Sequence, residues 1–172
     1  MRQRSSRPAP SVGALGAGLR LLGRRAHSRV EIQRKLVRRG HTLEEIDSAL
    51  VRLKELGYLN DLSFAEGLVR HRSASRGPRA LSAELAARGV DRAQADAAVA
   101  GFDPEAQLAS ATLLAERLYA RRPASGYREM LDSVGFKLMR RGFSATTVRE
   151  ACRAVLSGAP PSTEDLAPTP DV

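Results

Sequence analysis

The chain has 172 residues, a formal net charge of +9, 42% hydrophobic residues and only 4% aromatic ones. This length and apolar content allow a buried core, and the single cysteine excludes an internal disulfide framework and fits a reducing compartment. There is no apolar run of about 18 residues and no charged start followed by an apolar segment, so we expect a cytoplasmic protein with no contact with the membrane.

The chain begins with a basic tail and a weak helix. Residues 1–11 are rich in arginine, serine and proline and carry +3, a composition that predicts disorder. A helix follows over Val12–Arg25, but it contains four glycines, each of which costs roughly 1 kcal/mol relative to alanine. We therefore expect the start of this helix to be frayed.

Two better marked helices come next. Ser28 with Glu31 forms a capping box that opens a helix running to about Arg39, and Thr42 with Glu45 forms another that opens a helix to about Leu56. Gly57 ends the second of them. Three helices are thus expected over residues 12–60.

The middle segment, residues 61–102, follows the same pattern. Asp61 is predicted to cap a helix that ends near Ser75, and a Gly-Pro turn leads into a second helix over Pro78–Arg88, because proline is well tolerated in a first turn. A third helix is expected over Asp91–Gly101, with Asp91 and Gln94 in capping-box positions.

The last three helices are predicted over Asp103–Arg121, Gly126–Arg141 and Ser144–Leu156. No segment alternates with a period of two, so we expect no sheet. Residues 157–172 are rich in proline, serine, threonine and acid and carry −3, which predicts a disordered acidic tail. Because this charge cancels that of residues 1–11, the helical body carries the whole +9.

One short pattern occurs three times: LVRRG ends at Gly40, LAARG at Gly89 and LMRRG at Gly142, at intervals of 49 and 53 residues. Apolar residues recur at fixed offsets before and after each glycine, as on one face of a helix, a break, and one face of another helix. We expect each glycine to end a helix in the left-handed conformation and to form a structural repeat corner. The predicted fold is all-α, an elongated solenoid-like array of three tandem three-helix units over residues 12–60, 61–102 and 103–156.

Arginine accounts for most of the positive charge and is clustered. Several clusters lie in last turns of helices, where a cation stabilises the helix dipole by about 0.3–1 kcal/mol. Codon usage in a GC-rich genome would explain arginine in place of lysine, but it does not explain an excess over acid. A repeat that places equivalent helix ends along one side predicts a basic stripe suited to a polyanion.

The ordered motifs resemble a known family. A helix of the form S-x-x-E-I-x-x-K-L begins at Ser28, Arg39-Gly40 follows, and then come Gly57-Tyr58-Leu59-Asn60-Asp61 and Phe64-Ala65. The Gly77-Pro78 turn, the Arg88-Gly89-Val90 corner and the stretch from Arg140 to Ser144 match in the same order. Over about residues 15–156 the chain resembles RecX, the bacterial regulator of the RecA recombinase.

The resemblance implies a non-enzymatic modulator, most simply a monomer without cofactors. Proteins of this family bind the filament that RecA forms on single-stranded DNA, lie in its groove, suppress ATP hydrolysis and strand exchange, and are tied to the SOS response to DNA damage. We expect weak direct binding to single-stranded DNA, and duplex binding is open. The candidate contacts with DNA phosphate or acidic RecA surface are Arg34, Lys35, Arg38, Arg39, Arg70, Arg72, Arg76, Arg140 and Arg141.

Other functions stay open at this point. The three histidines lack the spacing of metal ligands and Cys152 has no partner for nucleophilic chemistry, so we predict neither a catalytic nor a metal site. A helix-turn-helix protein that reads duplex DNA is the main alternative, since its motif also uses a short turn with glycine. A plain helical scaffold with a solubilising charge is the third.

Overall fold

The computed structural model describes residues 12–158 and contains only helices over that range. The helices of the first third are α1 (Ala14–Leu22), α2 (Arg29–Arg38) and α3 (Leu43–Glu55), and those of the middle third are α4 (Asp61–Arg72), α5 (Pro78–Ala87) and α6 (Arg92–Ala100). The last third has α7 (Pro104–Arg121), α8 and α9 (Ala145–Ser157), where α8 is the continuous run of Tyr127–Met130, the π-helical turn Leu131–Gly135 and Phe136–Arg140. The all-α prediction is confirmed, whereas residues 1–11 and 159–172 of the predicted tails lie outside the described range.

Local capping explains where most helices begin. The side chains of Ser28 and Thr42 accept hydrogen bonds from the amides three residues later, and both capping boxes are complete. Ser144 likewise accepts from the amide of Thr147. These bonds satisfy amide donors that a helix cannot pair internally, so the predicted starts of α2, α3 and α9 are confirmed.

The three corner glycines adopt the conformation that the repeat predicts. Gly40, Gly89 and Gly142 have φ of 89°, 76° and 89°, and Gly57 at the end of α3 has 75°. These values lie in the left-handed region, which residues with a Cβ enter only at a cost. The repeated glycine therefore ends α2, α5 and α8 in the same way.

The predicted role of Asp61 was wrong. Asn60 caps α4, because its Oδ1 accepts from the amide of Ser63 at 3.0 Å. The carboxylate of Asp61 instead accepts from the first amide of α2, that of Arg29, at 2.7 Å. A negative charge at this position also interacts favourably with the α2 dipole. The same helix α4 ends at Arg72, earlier than the predicted Ser75.

The repeat positions that sequence analysis placed inward are buried, with Val99 only partly so. Ile32 and Leu36 of α2 pack with Ile46 and Leu50 of α3 in one core, which α1 completes through Leu21 and its neighbours. A second core forms among α7, α8 and α9 around the fully buried side chains Met130, Leu138, Phe143 and Cys152.

The chain forms two compact units. Unit 1 contains the described residues up to Gly67 together with Leu85–Asp96, and unit 2 contains Leu68–Glu84 together with the described residues from Ala97 onward. Each unit thus combines a terminal three-helix segment with part of the middle one. The boundaries at 60 and 102 that we predicted from the repeat remain a sequence-based prediction.

In unit 1 the start of α2 is joined to the corner at Gly89. The hydroxyl of Ser28 donates to the carbonyl oxygen of Arg88 at 2.6 Å, and the Arg88 guanidinium lies 3.2 Å from the Glu31 carboxylate. Burial alone would raise the pKa of Glu31, but its hydrogen bonds with Arg25 and the Ser28 amide and the charge of Arg88 bring that pKa below its ordinary value. Glu31 is therefore ionised, and its carboxylate holds Arg25 and Arg88 against α2.

In unit 2 the start of α5 is joined to the corner at Gly142 in an equivalent way. The amides of Gly77 and Arg79 donate to the carbonyl oxygens of Arg141 and Gly142 at 2.9 and 3.2 Å. A Cβ on Gly142 would collide with the backbone of Ala80, as one on Gly89 would collide with the side chain of Val30 in unit 1. Glycine is therefore needed at these two joints for close approach as well as for φ.

Candidate nucleic-acid interface

Four cationic side chains of unit 2 surround one depression of about 370 Å³. Its lining contains Arg76, Lys137, Arg140 and Arg141, with Leu118 as the apolar member. We call this set the unit 2 cluster. None of its members lies within ion-pair distance of a carboxylate among the described residues. Its positive charge is therefore not neutralised by the acidic side chains of the described range.

The joint at Gly142 explains why these residues come together. Lys137 and Arg140 lie in the last turn of α8, where their charge also stabilises the helix dipole. Arg76 comes just before Gly77, whose amide bonds to the Arg141 carbonyl. The hydrogen bond at this joint therefore places Arg76, at the end of the α4–α5 loop, beside the end of α8.

Arg141 differs from its neighbours in the cluster. Its side chain is only partly exposed, and its Nη1 donates to the carbonyl oxygen of Ser75 at 3.4 Å. Arg141, a predicted contact residue, therefore also stabilises the joint between α5 and α8. Arg76 and Arg140 are exposed. Lys137, which the predicted contact set omitted, is exposed beside them.

The candidate residues of α2 are spread over its surface. Arg34 is exposed and its Nη1 lies 3.4 Å from the carbonyl oxygen of Ala87, while Lys35 is partly buried. Arg38 and Arg39 at the helix end are both exposed. Arg39 lines a second depression, with Arg20, Arg24 and His41. The α2 residues thus do not converge on one point as the unit 2 cluster does.

Arg70 and Arg72 lie in the last turn of α4 and are exposed. The Arg72 guanidinium lies 3.9 Å from a carboxylate oxygen of Glu84. A long, solvent-exposed pair of this kind is worth at most about 1 kcal/mol. Both side chains therefore stay accessible to an anionic partner.

Most aromatic side chains serve the cores. Phe64, Phe102 and Phe143 are buried. Phe136 is 60% exposed, and the Arg140 guanidinium lies 5.9 Å from the centre of its ring. This exposed pair can stack on a base or pack against a protein surface, and the sequence pattern did not distinguish Phe136 from a core residue.

The three histidines and Cys152 all lie within the described residues. No group of three or more His, Cys, Asp or Glu side chains within residues 12–158 has the arrangement of a metal site. Burial raises the pKa of the Cys152 thiol to about 11, so the nucleophilic thiolate is scarce at neutral pH. No helix of the described range is long and apolar enough to cross a membrane.

Comparison with known proteins agrees with the motif order. Residues 14–53 match the family model of the first three-helix domain of RecX, and residues 60–99 match that of the second. Two solved structures are similar in fold. The crystal structure of RecX from Lactobacillus salivarius gives a TM-score of 0.76 at 24% identity over 84% of this chain and 95% of that one. A second RecX crystal structure gives 0.71 at 25% identity over 78% and 68%.

Curated relatives match over most of their length. Regulatory protein RecX of Halorhodospira halophila is 39% identical over 85% of this chain and 90% of its own. The proteins of the same name from Stenotrophomonas maltophilia and Mycolicibacterium vanbaalenii are 36% and 37% identical, over 88% and 81% of this chain and 90% and 80% of theirs. With two matching domain models and this coverage, the chain belongs to the RecX family of regulatory proteins.

Proposed function

We propose that this protein is a negative modulator of the RecA recombinase that binds the RecA–single-stranded DNA filament in its groove and inhibits ATP hydrolysis and strand exchange. It acts in the cytoplasm as a monomer, without enzymatic activity of its own. The observation that carries the proposal, beside family membership, is the unit 2 cluster: four cations around one depression with no carboxylate in ion-pair range within the described chain.

The electrostatics of the cluster suit a phosphate backbone. Lysine and arginine neutralise phosphates and release counterions, which makes binding strong at low salt and independent of sequence. Three of the cations come from the α8 end and one from the α4–α5 loop, held together by the Gly77–Arg141 hydrogen bond at 2.9 Å. Their arrangement is thus built before binding, so less conformational entropy is lost on contact.

A filament groove presents repeated copies of protein and DNA surface. Exposed cations at α2 and α4 add contacts of the same kind to those of the unit 2 cluster, and several weak contacts on one chain act together through effective concentration. Occupying the groove excludes the second DNA strand that exchange requires. A preference for one filament state then shifts the assembly equilibrium towards that state.

The surface of α3 argues against a reader of operator DNA. In a helix-turn-helix protein the helix after the turn faces the bases, and here that helix is α3, which follows the turn at Gly40. Its exposed face carries four carboxylates, those of Glu44, Glu45, Asp47 and Glu55. Carboxylates repel phosphate, so this surface of α3 is unsuited to lie in a DNA groove.

The test is RecA ATP turnover on single-stranded DNA with the protein titrated in. The intact protein should lower turnover at or below one copy per RecA. The triple variant Arg76→Gln, Lys137→Gln, Arg140→Gln should need at least tenfold more protein, because each lost charged contact contributes about 1.5–3 kcal/mol. No inhibition by the intact protein at large excess would remove the proposal.

A matched control variant carries the same change in net charge at positions outside the unit 2 cluster. Arg52 and Arg92 form exposed ion pairs with Glu55 and Asp96 on their own helices, and Arg128 is exposed in the first turn of α8. Replacing these three with glutamine also lowers the net charge by three. This control should inhibit nearly as well as the intact protein; an equal loss in both triple variants would mean that overall charge, and not the cluster, causes inhibition.

A further inference from the structure

A second basic depression lies on unit 1, away from the residues that carry the proposed function except Arg39. It measures about 320 Å³ and is lined by Arg20 and Arg24 from the end of α1, by Arg39 from the end of α2, and by His41, over an apolar base of Val12, Ala17 and Leu21. The three arginines are exposed. None of them has a carboxylate in ion-pair range within the described residues.

His41 gives this depression a feature that surface arginines alone lack. Its side chain is 1% exposed, and among the described residues neither ring nitrogen has a hydrogen-bond partner. Oε2 of Glu45 lies 3.6 Å from Nδ1, within ion-pair distance but too long for a hydrogen bond. Leaving a buried polar group without a partner is unfavourable, and a ligand bound beside the ring would offset that cost.

The repeat shows why Arg39 is available. It occupies the position just before the corner glycine, as Arg88 and Arg141 do. In those two corners the side chain is used in a joint: Arg88 pairs with Glu31 at 3.2 Å, and Arg141 donates to the Ser75 carbonyl at 3.4 Å. Arg39 has neither kind of contact within residues 12–158, and its guanidinium lines the depression instead.

We infer that the depression formed by Arg20, Arg24, Arg39 and His41 is a binding site for a phosphate group. Guanidinium groups donate paired hydrogen bonds that match the oxygens of phosphate, and the imidazole adds a donor when its proton is on the nitrogen facing the ligand. Three guanidinium groups and one imidazole line the same depression, so more than one of them can contact a single phosphate.

The inference goes beyond the proposed function and does not depend on it. The site can take the phosphate of a nucleic acid strand, either internal or at a 5′ end, or a phosphate carried by a small molecule. The site recognises the same phosphate chemistry in each case. Comparing the affinities of these ligands identifies which of them supplies the phosphate.

The first experiment uses the whole protein and inorganic phosphate, with the imidazole signals of the three histidines followed by NMR. His41 should shift saturably with phosphate and not with chloride at the same ionic strength. The variant Arg24→Gln, Arg39→Gln should weaken this binding by at least tenfold, because two charge-assisted contacts are lost. The control Arg52→Gln, Arg92→Gln should leave it unchanged.

The second experiment identifies the source with two oligonucleotides of one sequence, one ending in a 5′-phosphate and one in a 5′-hydroxyl. Tighter binding of the phosphorylated strand, lost in Arg24→Gln, Arg39→Gln, supports a strand-end site. Equal binding of both, with the His41 shift retained, supports an internal phosphate, and a response to inorganic phosphate alone supports a small phosphorylated ligand.

A His41 signal that responds to none of these three probes would overturn the inference, as would a response that survives in Arg24→Gln, Arg39→Gln. Both variants carry substitutions at exposed positions, and circular dichroism verifies that they remain folded. Since RecA is absent from both experiments, their failure leaves the proposed function untouched.

Discussion

Replacing Gly142 with alanine tests the joint between α5 and α8 in unit 2. The substitution adds one methyl group at a residue with φ of 89°. That methyl would collide with the backbone nitrogen and Cβ of Ala80. The Ala80 amide is itself bonded to the Gly77 carbonyl at 3.1 Å, so the backbone cannot withdraw without loosening α5.

The expected loss has two parts. A left-handed conformation costs an alanine about 1–2 kcal/mol, and forcing an extra methyl into a tight contact adds about 1–3 kcal/mol. Gly57 isolates the first part, because it also has a positive φ, of 75°, but a Cβ there would meet nothing within 4 Å. Gly142→Ala should therefore lose about 1–3 kcal/mol more free energy of unfolding than Gly57→Ala.

Urea unfolding followed by circular dichroism measures both losses. Gly89→Ala extends the test, since its Cβ would lie 2.6 Å from the Cβ of Val30. It should therefore also lose more free energy of unfolding than Gly57→Ala. Equal losses in Gly142→Ala and Gly57→Ala would refute the close packing of the joint.

Three further predictions follow from single side chains. Burial lowers the pKa of His27 below 6.5, so the unfolded chain binds this proton more readily and stability should fall as pH drops below 6.5; His27→Gln should flatten that dependence in thermal unfolding scans. Cys152, buried and with a pKa of about 11, should react with a thiol reagent at pH 7 only when urea unfolds the chain, and rapid labelling of the native protein would contradict its placement. Asp61→Ala should destabilise unit 1 by about 0.5–2 kcal/mol in urea unfolding, because it removes the carboxylate that accepts from the Arg29 amide at the start of α2; an unchanged midpoint would show that this bond contributes nothing.

The helix ends could be predicted from sequence because their causes are local. The side chains of Ser28 and Thr42 bond to amides only three residues away. Glycine is needed at position 40 because the backbone there has a positive φ. Asp61 was assigned wrongly because Asn60 and Asp61 are adjacent residues that can both cap. Only the folded chain shows that Asn60 bonds within α4 and that Asp61 bonds to Arg29.

The joints could not be predicted because they connect distant residues. Ser28 Oγ and the Arg88 carbonyl are 60 positions apart, and no periodicity within a helix indicates such a bond. The same holds for the site: the sequence indicated that arginines cluster along the chain, but the meeting of Arg76 with Lys137 depends on the Gly77 joint.

The π-helical turn Leu131–Gly135 is another feature without a local signal. A Cβ on Gly135 would lie 3.2 Å from a methyl of Val148, so glycine there permits α8 and α9 to pack closely. The sequence predicted one regular helix over this range.

Equilibrium binding to preformed RecA–single-stranded DNA filaments over a range of salt concentrations tests the central claim most directly. We predict tighter binding to the filament than to the bare strand, with affinity that falls as salt rises, and weaker filament binding for Arg76→Gln, Lys137→Gln, Arg140→Gln than for the control triple variant. Equal affinity for filament and bare strand, or equal affinity of the two triple variants, would contradict recognition of the filament through the unit 2 cluster.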